Sequence, residues 1–310
     1  MTTSSTPGKV ILFGEHAVVY GRPALAVPVT QVQATATVSE NARGGVRVEA
    51  PNINLSSALS SLAPDHPLAT VINSVFSTLG VTRPPACTIY LQSTIPIAAG
   101  LGSGAAVSVA ILRALSAFLG HPLPDEQVNR LTFEAEKLHH GTPSGIDNTV
   151  ITYSRPVYFL KEQPIETFRA AAPFTIVIGD TGVQAPTKES VGAVQKLWND
   201  NSAHWEKVFD QVGKIVQEAR QAIEQGKPAR LGALMDANHA LLQEMTVSSV
   251  ELDTLVQVAR TAGALGAKLS GGGRGGNMIA LVPREKIPDV TGALRSAGAH
   301  RTIVTTIPKG

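Results

Sequence analysis

The stretch from Pro96 to Ala106, PIAAGLGSGAA, constrains the fold more than any other part of the chain, because a glycine-rich loop here runs directly into a helix. Gly100, Gly102 and Gly104 allow close backbone approach and φ > 0. The helix that follows begins with unpaired N–H groups and a partial positive charge, so the pattern reads as a phosphate cradle. Upstream, Ile89 and Leu91 alternate with Thr88, Tyr90 and Gln92, which predicts a half-buried strand. Downstream, Val107, Ile111, Leu115 and Phe118 recur at helical spacing, and Gly120 followed by Pro122 ends the run. The unit is strand, glycine loop, helix. It lacks the Gly-Lys-Ser/Thr ending of a P-loop, and it lies far from the N-terminal strand that opens a dinucleotide-binding domain.

The chain has 310 residues, enough for one large or two ordinary domains. Its 26 basic and 24 acidic residues leave a net charge of +2, so neither nucleic acid nor a membrane surface is an expected partner. Phosphate must then be held by local geometry. The lone cysteine, Cys87, falls in the predicted strand and reads as a small buried hydrophobe. The N-terminus MTTSSTPGKV has no signal-peptide pattern, and no apolar run approaches the ~20 residues of a membrane span, so a cytoplasmic protein is expected.

The opening is β-rich. VILFGEHAVVYG is an apolar strand running into a glycine-bounded turn, and QVQATATVSE alternates strictly at Val32, Ala34, Ala36 and Val38. Pro124 and Asp125 start a second helix whose Val128, Leu131, Ala135 and Leu138 form an apolar stripe, closed by Gly141 and Pro143. A loop, TPSGIDN, follows it, and residues 151–185 return to strand patterns, notably FTIVIGDTG. Residues from Glu189 to about Gln225 are helix-compatible, with a further helix from Leu231 to Glu244. The remainder reads as helix 251–264, strand 266–270, glycine loop 271–276, strand 277–282, helix 284–297 and strand 300–307, an order that suits an α+β sheet with helices on one face. A domain boundary is expected between about 160 and 185.

Several polar residues together suit phosphoryl transfer, which needs positioned phosphates, a divalent cation, a cationic group at the transferring atom and an oriented nucleophile. Lys9 stands before an apolar strand, with Glu15 and His16 in the turn after it. Glu134, Glu136 and His140 decorate the second helix, and periodicity does not choose between the two glutamates. Asp147, in PSGID, is placed to accept or orient a hydroxyl proton. A second glycine loop, SGGGRGGN from Ser270 to Asn277, joins two predicted strands and either covers phosphate or packs on the first loop.

These motifs, in this order, resemble those of the small-molecule kinases named for galactokinase, homoserine kinase, mevalonate kinase and phosphomevalonate kinase, the GHMP family. PGKVILFGEHAVVYGRPALA is similar to the first family motif, PIAAGLGSGAA to the ATP-phosphate motif, and KLSGGGRGGN to the C-terminal glycine motif. EAEKLHHGTPSGIDN and LGALMDANHALLQEMTVSSVELDTL look most like the mevalonate-phosphorylating branch. The resemblance implies an α+β, two-domain GHMP kinase fold: residues 1–170 of the ribosomal protein S5 domain 2 type with a left-handed βαβ crossover, and residues 171–310 ferredoxin-like, with the active site between them. General rules alone predict a right-handed crossover.

Carried over by position, the resemblance makes Asp147 the base, Lys9 the lysine near the acceptor hydroxyl, and Glu136 the magnesium ligand. Glu15, His16, Ser144 and Thr187 become acceptor-side residues. Ala99, Gly100, Leu101, Gly102, Ser103, Gly104 and Ala105 become the triphosphate cradle, with Gly272, Gly273, Arg274 and Gly275 beside it. ATP and Mg2+ are implied, with the 5-hydroxyl of (R)-mevalonate as acceptor; other readings are a sibling kinase for the 3-hydroxyl, homoserine or a sugar, and a sensor without turnover. Homodimers are common in the family. The chain departs from the family pattern at Gly104, commonly a serine that helps hold magnesium, leaving Ser103 or water to serve, or a weaker site. It departs again at Arg274, where small residues are commoner. Arg155, Lys161 and Lys188 are all placed to bind the acceptor carboxylate, and no motif chooses among them.

Overall fold

A computed structural model describes residues 1–96, 99–140, 143–184 and 187–310, without the side chains of His139 and His140. Ile97 and Ala98 of the first glycine loop, and Gly141 and Thr142 after the second predicted helix, therefore lie outside the described residues. In chain order the first elements are β1 (Thr2–Phe13), β2 (Ala24–Glu40), β3 (Val46–Ala50), β4 (Leu55–Ala58), α1 (Pro67–Thr78), β5 (Cys87–Ser93) and α2 (Ser103–Phe118). Next come α3 (Asp125–His140), α4 (Ile146–Tyr153), β6 (Val157–Phe159), β7 (Glu166–Thr167), β8 (Phe174–Asp180), α5 (Thr187–Asp200) and α6 (Ser202–Glu224). The last are α7 (Pro228–Glu244), α8 (Val250–Thr261), β9 (Gly266–Ser270), β10 (Asn277–Leu281), α9 (Ile287–Ser296) and β11 (Arg301–Ile307).

The chain divides into two compact units. The first takes Met1–Lys9, Val32–Pro96 and Gly102–Ser154; the second takes Val10–Gln31, Ile97–Leu101 and Arg155–Gly310.

In the first unit β3 pairs in parallel with β5, and the chain between them passes through α1, which makes a βαβ crossover. The residue patterns did not reveal β3, β4 or α1. β5 also pairs antiparallel with the end of β2, from Ala34↔Ser93 to Glu40↔Cys87. Cys87 is fully buried there, as expected, and burial raises its thiol to about 11. The helix after the first glycine loop packs against β5, α1, α3 and α4. Of the predicted stripe Ile111 and Leu115 are buried while Val107 and Phe118 are half-buried, and the buried surface extends instead to Ala105, Ala106, Val109, Ala110, Leu112 and Ala114, where the alanines let four neighbours approach. The stripe on α3 is shorter than predicted, since Val128 and Ala135 are buried while Leu138 is 69% exposed.

Two expectations need correction. Residues 151–153, expected to open a strand region, and 146–148, expected in a loop, both belong to the helix α4: Gly145, at φ 91, begins it, and Ile146, Val150 and Ile151 are buried. β-branched residues there favour strand patterns locally, and tertiary packing overrides them. The helical stretch 189–225 is two helices, because Asn201 caps α6 by accepting from the His204 N–H at 3.2 Å.

In the second unit β8, β9, β10 and β11 form an antiparallel sheet in the order β11-β8-β10-β9. With helices between β8 and β9 and between β10 and β11, this is the ferredoxin-like βαββαβ arrangement. The β9–β10 register, Ser270↔Asn277 to Gly266↔Leu281, leaves 271–276 as the connecting glycine loop.

A close helix–strand approach fixes this unit. A Cβ on Gly232 of α7 would lie 2.2 Å from the Leu265 carbonyl oxygen, and one on Gly266 would lie 2.1 Å from the Gly232 carbonyl oxygen. The helix therefore carries a glycine at a cost of ~1 kcal/mol relative to alanine. Gly232→Ala is expected to destabilise by roughly 3 kcal/mol or more in chemical denaturation. Gly292→Ala in α9, where a Cβ meets nothing within 4 Å, is expected to be neutral or stabilising by up to ~1 kcal/mol.

Candidate active site

Lys9 lies in β1, flanked by buried residues, and its side chain is only 4% exposed. A charge so placed needs a partner. It finds Asp147, whose carboxylate Oδ1 accepts from Nζ at 2.9 Å and remains 33% exposed. Asp147 sits in the first turn of α4, where the helix N-terminus favours a negative charge. The Ser144 hydroxyl accepts from the Ile146 N–H at 3.4 Å, and the Thr149 hydroxyl donates to the Gly145 carbonyl at 2.7 Å, so the turn presenting Asp147 is braced at its start.

The glycine loop meets this pair. Gly102 has φ 74, and a Cβ there would lie 3.0 Å from Lys9 Cγ and 2.7 Å from Ile151 Cδ1. Only glycine both adopts that backbone and admits the lysine stem. Gly104 differs from its expectation: it lies inside the first turn of α2 and has no positive φ. What its missing side chain leaves open is space, since a Cβ would stand 3.3 Å from Glu136 Oε1. Ser103 is the first residue of α2, and Ala105 is buried within it.

The structure separates the two glutamates. Glu134 is exposed and pairs with Lys137 at 2.9 Å. Glu136 is partly buried, and its carboxyl is raised to about 7, first by burial and then by the negative charge of Asp147, with Lys9 opposing. The His140 side chain lies outside the described residues. Lys9, Asp147, Glu136, Gly102, Ser103, Gly104 and Ser144 all belong to the first unit.

The remaining predicted residues gather in the second unit. Glu15 is buried against Lys268, forming an ion pair with Nζ. His16, with a left-handed φ of 63, donates from Nε2 to the Gly272 carbonyl at 3.1 Å. Burial, followed by the positive charges of Arg274 and Lys268, lowers the imidazole to about 4, so it is neutral at pH 7. Thr187 stands beside Gly272, where a Cβ would be 3.1 Å from its Oγ1. Gly273 must be glycine because a Cβ would fall 1.9 Å from the Val247 carbonyl oxygen, and a Cβ on Gly275 would be 2.9 Å from the Val183 carbonyl oxygen. Arg274 has a left-handed φ of 57, and its Nε donates to the Thr246 carbonyl at 3.3 Å. Of the first loop, Ala99, Gly100 and Leu101 belong here, and Asn277 Nδ2 donates to the Ala99 carbonyl.

Sequence reasoning missed Lys268 and His239. Lys268 reads as an ordinary strand lysine, and only the invariable cost of burying an ammonium makes it notable once its 0% exposure is seen. His239 is buried on α7; its Nδ1 accepts from the Leu269 N–H at 3.3 Å and its Nε2 faces Asp253 Oδ1 at 3.2 Å. Burial lowers this imidazole to about 4, so the contact with Asp253 is a neutral hydrogen bond.

The family description GHMP kinases N terminal domain matches residues 68–155, and GHMP kinases C terminal matches residues 219–300. A mevalonate kinase of Thermococcus gammatolerans is 36% identical over 99% of this chain and 96% of its own length. The chain belongs to the GHMP kinase family. Another GHMP kinase, the mevalonate kinase of Pyrococcus horikoshii, is also 36% identical, over 99% of this chain and 96% of its own length. Among solved GHMP kinase structures, L. major mevalonate kinase in complex with R-mevalonate superposes with a TM-score of 0.86 and 30% identity, covering 100% of this chain and 97% of that one. Methanococcus jannaschii mevalonate kinase gives 0.85 at 26% identity, over 99% of this chain and 98% of that one.

For the divalent cation that the family resemblance implies, the donor chemistry of the first unit fits. Glu136 is a partly buried carboxylate beside a second carboxylate, and its ionised form is disfavoured until a positive charge arrives. Among the described residues no three His, Cys, Asp or Glu side chains gather as a ligand set. A magnesium ion, which takes one or two carboxylates and fills the rest with phosphate oxygens and water, suits such a sparse set.

The raised Glu136 predicts a pH effect on the free protein. The folded carboxyl is protonated up to about 7 whereas an unfolded one ionises near 4.5, so the destabilisation grows as pH rises through 4.5 to 7 and is complete above. Glu136→Gln, free of metal and nucleotide, is expected to be more stable than the parent by on the order of 2 kcal/mol at pH 8. The gap should narrow as the pH falls toward 4.5. Denaturation curves across that range check it, and a variant less stable at pH 8 contradicts it.

Proposed function

We propose that this chain is a mevalonate kinase, transferring the γ-phosphoryl group of ATP to the 5-hydroxyl of (R)-mevalonate. The observation that carries the reading is the Lys9–Asp147 pair, 2.9 Å apart, with the Lys9 stem packed beside Gly102 of the glycine loop. The identity to named mevalonate kinases over nearly the whole chain supports the choice of acceptor.

In the reaction the acceptor oxygen bonds to the γ-phosphorus while the bond to the β–γ bridging oxygen breaks and ADP departs. Asp147, part-exposed beside Lys9, orients the hydroxyl and takes its proton. Lys9, fixed by its strand, places a positive charge where negative charge develops, and needs no reorganisation to do so. The N–H groups opening α2, with the loop from Ala99 to Ala105, hold phosphate oxygens. Gly272, Gly273, Arg274 and Gly275 serve the same nucleotide, and Glu15, His16, Ser144 and Thr187 serve the acceptor. Glu136, with Ser103, would hold the magnesium ion, which supplies charge neutralisation of the phosphates when bound. The two family domains are read as 1–170 and 171–310, one matched segment falling in each.

ADP release with magnesium ATP across mevalonate, homoserine, galactose and phosphomevalonate tests the reading, with phosphorus NMR locating the new ester. Turnover on mevalonate giving the 5-phosphate is expected. A 3-phosphate, or turnover with another alcohol alone, overturns the acceptor. Asp147→Asn is expected to lower kcat by at least about a hundredfold while the ATP dissociation constant stays within about twofold; a fully active variant removes Asp147 from its role.

A further inference from the structure

Lys268 is 0% exposed, and Glu15, its ion-pair partner, is 1% exposed. The ammonium also donates to the Leu269 carbonyl at 2.6 Å. Buried ion pairs contribute little net stability compared with apolar residues of the same volume, so this one asks for a different purpose. Its neighbours suggest one. The Ser270 hydroxyl donates to the Ile11 carbonyl at 2.8 Å, Lys268 binds Glu15, and His16 donates to the Gly272 carbonyl at 3.1 Å. Three side-chain bonds thus knit the segment 11–16 to the segment 268–272. The last residue of the first segment, His16, is held at a positive φ of 63 with a ψ of -52, a conformation that persists only where its surroundings impose it. Lys268 is the most deeply buried of the three ties.

We propose that Lys268 is a positioning residue for phosphoryl transfer, acting through Glu15 to hold the Gly14–His16 turn against the glycine loop 271–276. The inference rests on the kinase reading above, in which Glu15 and His16 face the acceptor. Lys268 touches neither substrate nor nucleotide; it sets where the turn sits.

The test compares Lys268→Met and Lys268→Arg with the parent enzyme, by kcat and KM for mevalonate and for ATP, by thermal melting, and by NMR titration of the His16 imidazole. For Lys268→Met, kcat/KM for mevalonate is expected to fall about tenfold or more, with the ATP KM within about twofold. Lys268→Arg should recover part of the loss. The His16 titration should move from about 4 back toward 6.5, since burial rather than the Lys268 charge is the chief cause of its low value. A Lys268→Met protein that melts lower but keeps kcat and both KM values overturns the proposal, as does one whose His16 still titrates near 4. If Lys268→Met does not fold, the double variant Glu15→Gln/Lys268→Met, which removes both buried charges together, carries the His16 titration with the same two outcomes. If the parent enzyme turns over no alcohol, the kinase reading fails, and the His16 titration decides the positioning claim alone.

Discussion

A lysine ammonium that is 4% exposed on a buried strand must be compensated, and the ion pair of Lys9 with Asp147 is the constraint around which the first unit is arranged. It requires a carboxylate at a defined point, which α4 provides by starting at Gly145 and placing Asp147 in its first turn. It requires that the first glycine loop pass the lysine stem without a side chain, which makes Gly102 obligatory. It also puts a negative charge near Glu136, whose carboxyl is raised to about 7 chiefly by burial and then by that charge. Glycine loop, aspartate, lysine and glutamate are thereby linked, because each limits what the others can be.

The second unit uses charge differently. Asp147 of the first pair stays part-exposed, whereas Lys268 and Glu15 are both sealed from water. His16 and His239 are kept neutral by burial, so their hydrogen bonds to Gly272 and Asp253 fix geometry and carry no charge at neutral pH. The glycine loop 271–276 is confined at Gly273 by the Val247 carbonyl and at Gly275 by the Val183 carbonyl, so these glycines record backbone packing.

Much of this was legible from residues alone, for physical reasons that differ by element. The first glycine loop was readable because a strand, close-approach glycines and an amphipathic helix in succession have few other solutions. The β9–β10 hairpin was readable because its loop and strand ends are marked by glycine and Asn277. α4 was not, since Ile146–Tyr153 carries β-branched residues and its helical state depends on burying Ile146, Val150 and Ile151. Glu136 was indistinguishable from Glu134 by periodicity, and burial alone separates them. Lys268 opens the KLSGGGRGGN motif but was not singled out, because nothing in a pentapeptide such as GAKLS announces which lysine is sealed from water. Family resemblance supplied the roles of Lys9, Glu136 and Asp147 as expectations, and the geometry adds why Lys9 and Asp147 belong together.

The central claim is that Lys9 and Asp147 act as one unit on the transferring phosphoryl group. A double-mutant cycle in kcat, using Lys9→Met, Asp147→Asn and the combined variant with saturating magnesium ATP and mevalonate, tests it most directly. If the pair acts as a unit, the combined variant is about as slow as the slower single variant, because either substitution alone already dismantles the arrangement. Losses that multiply, so that the combined variant is slower by the product of the two single effects, would show two independent contributions and contradict the account.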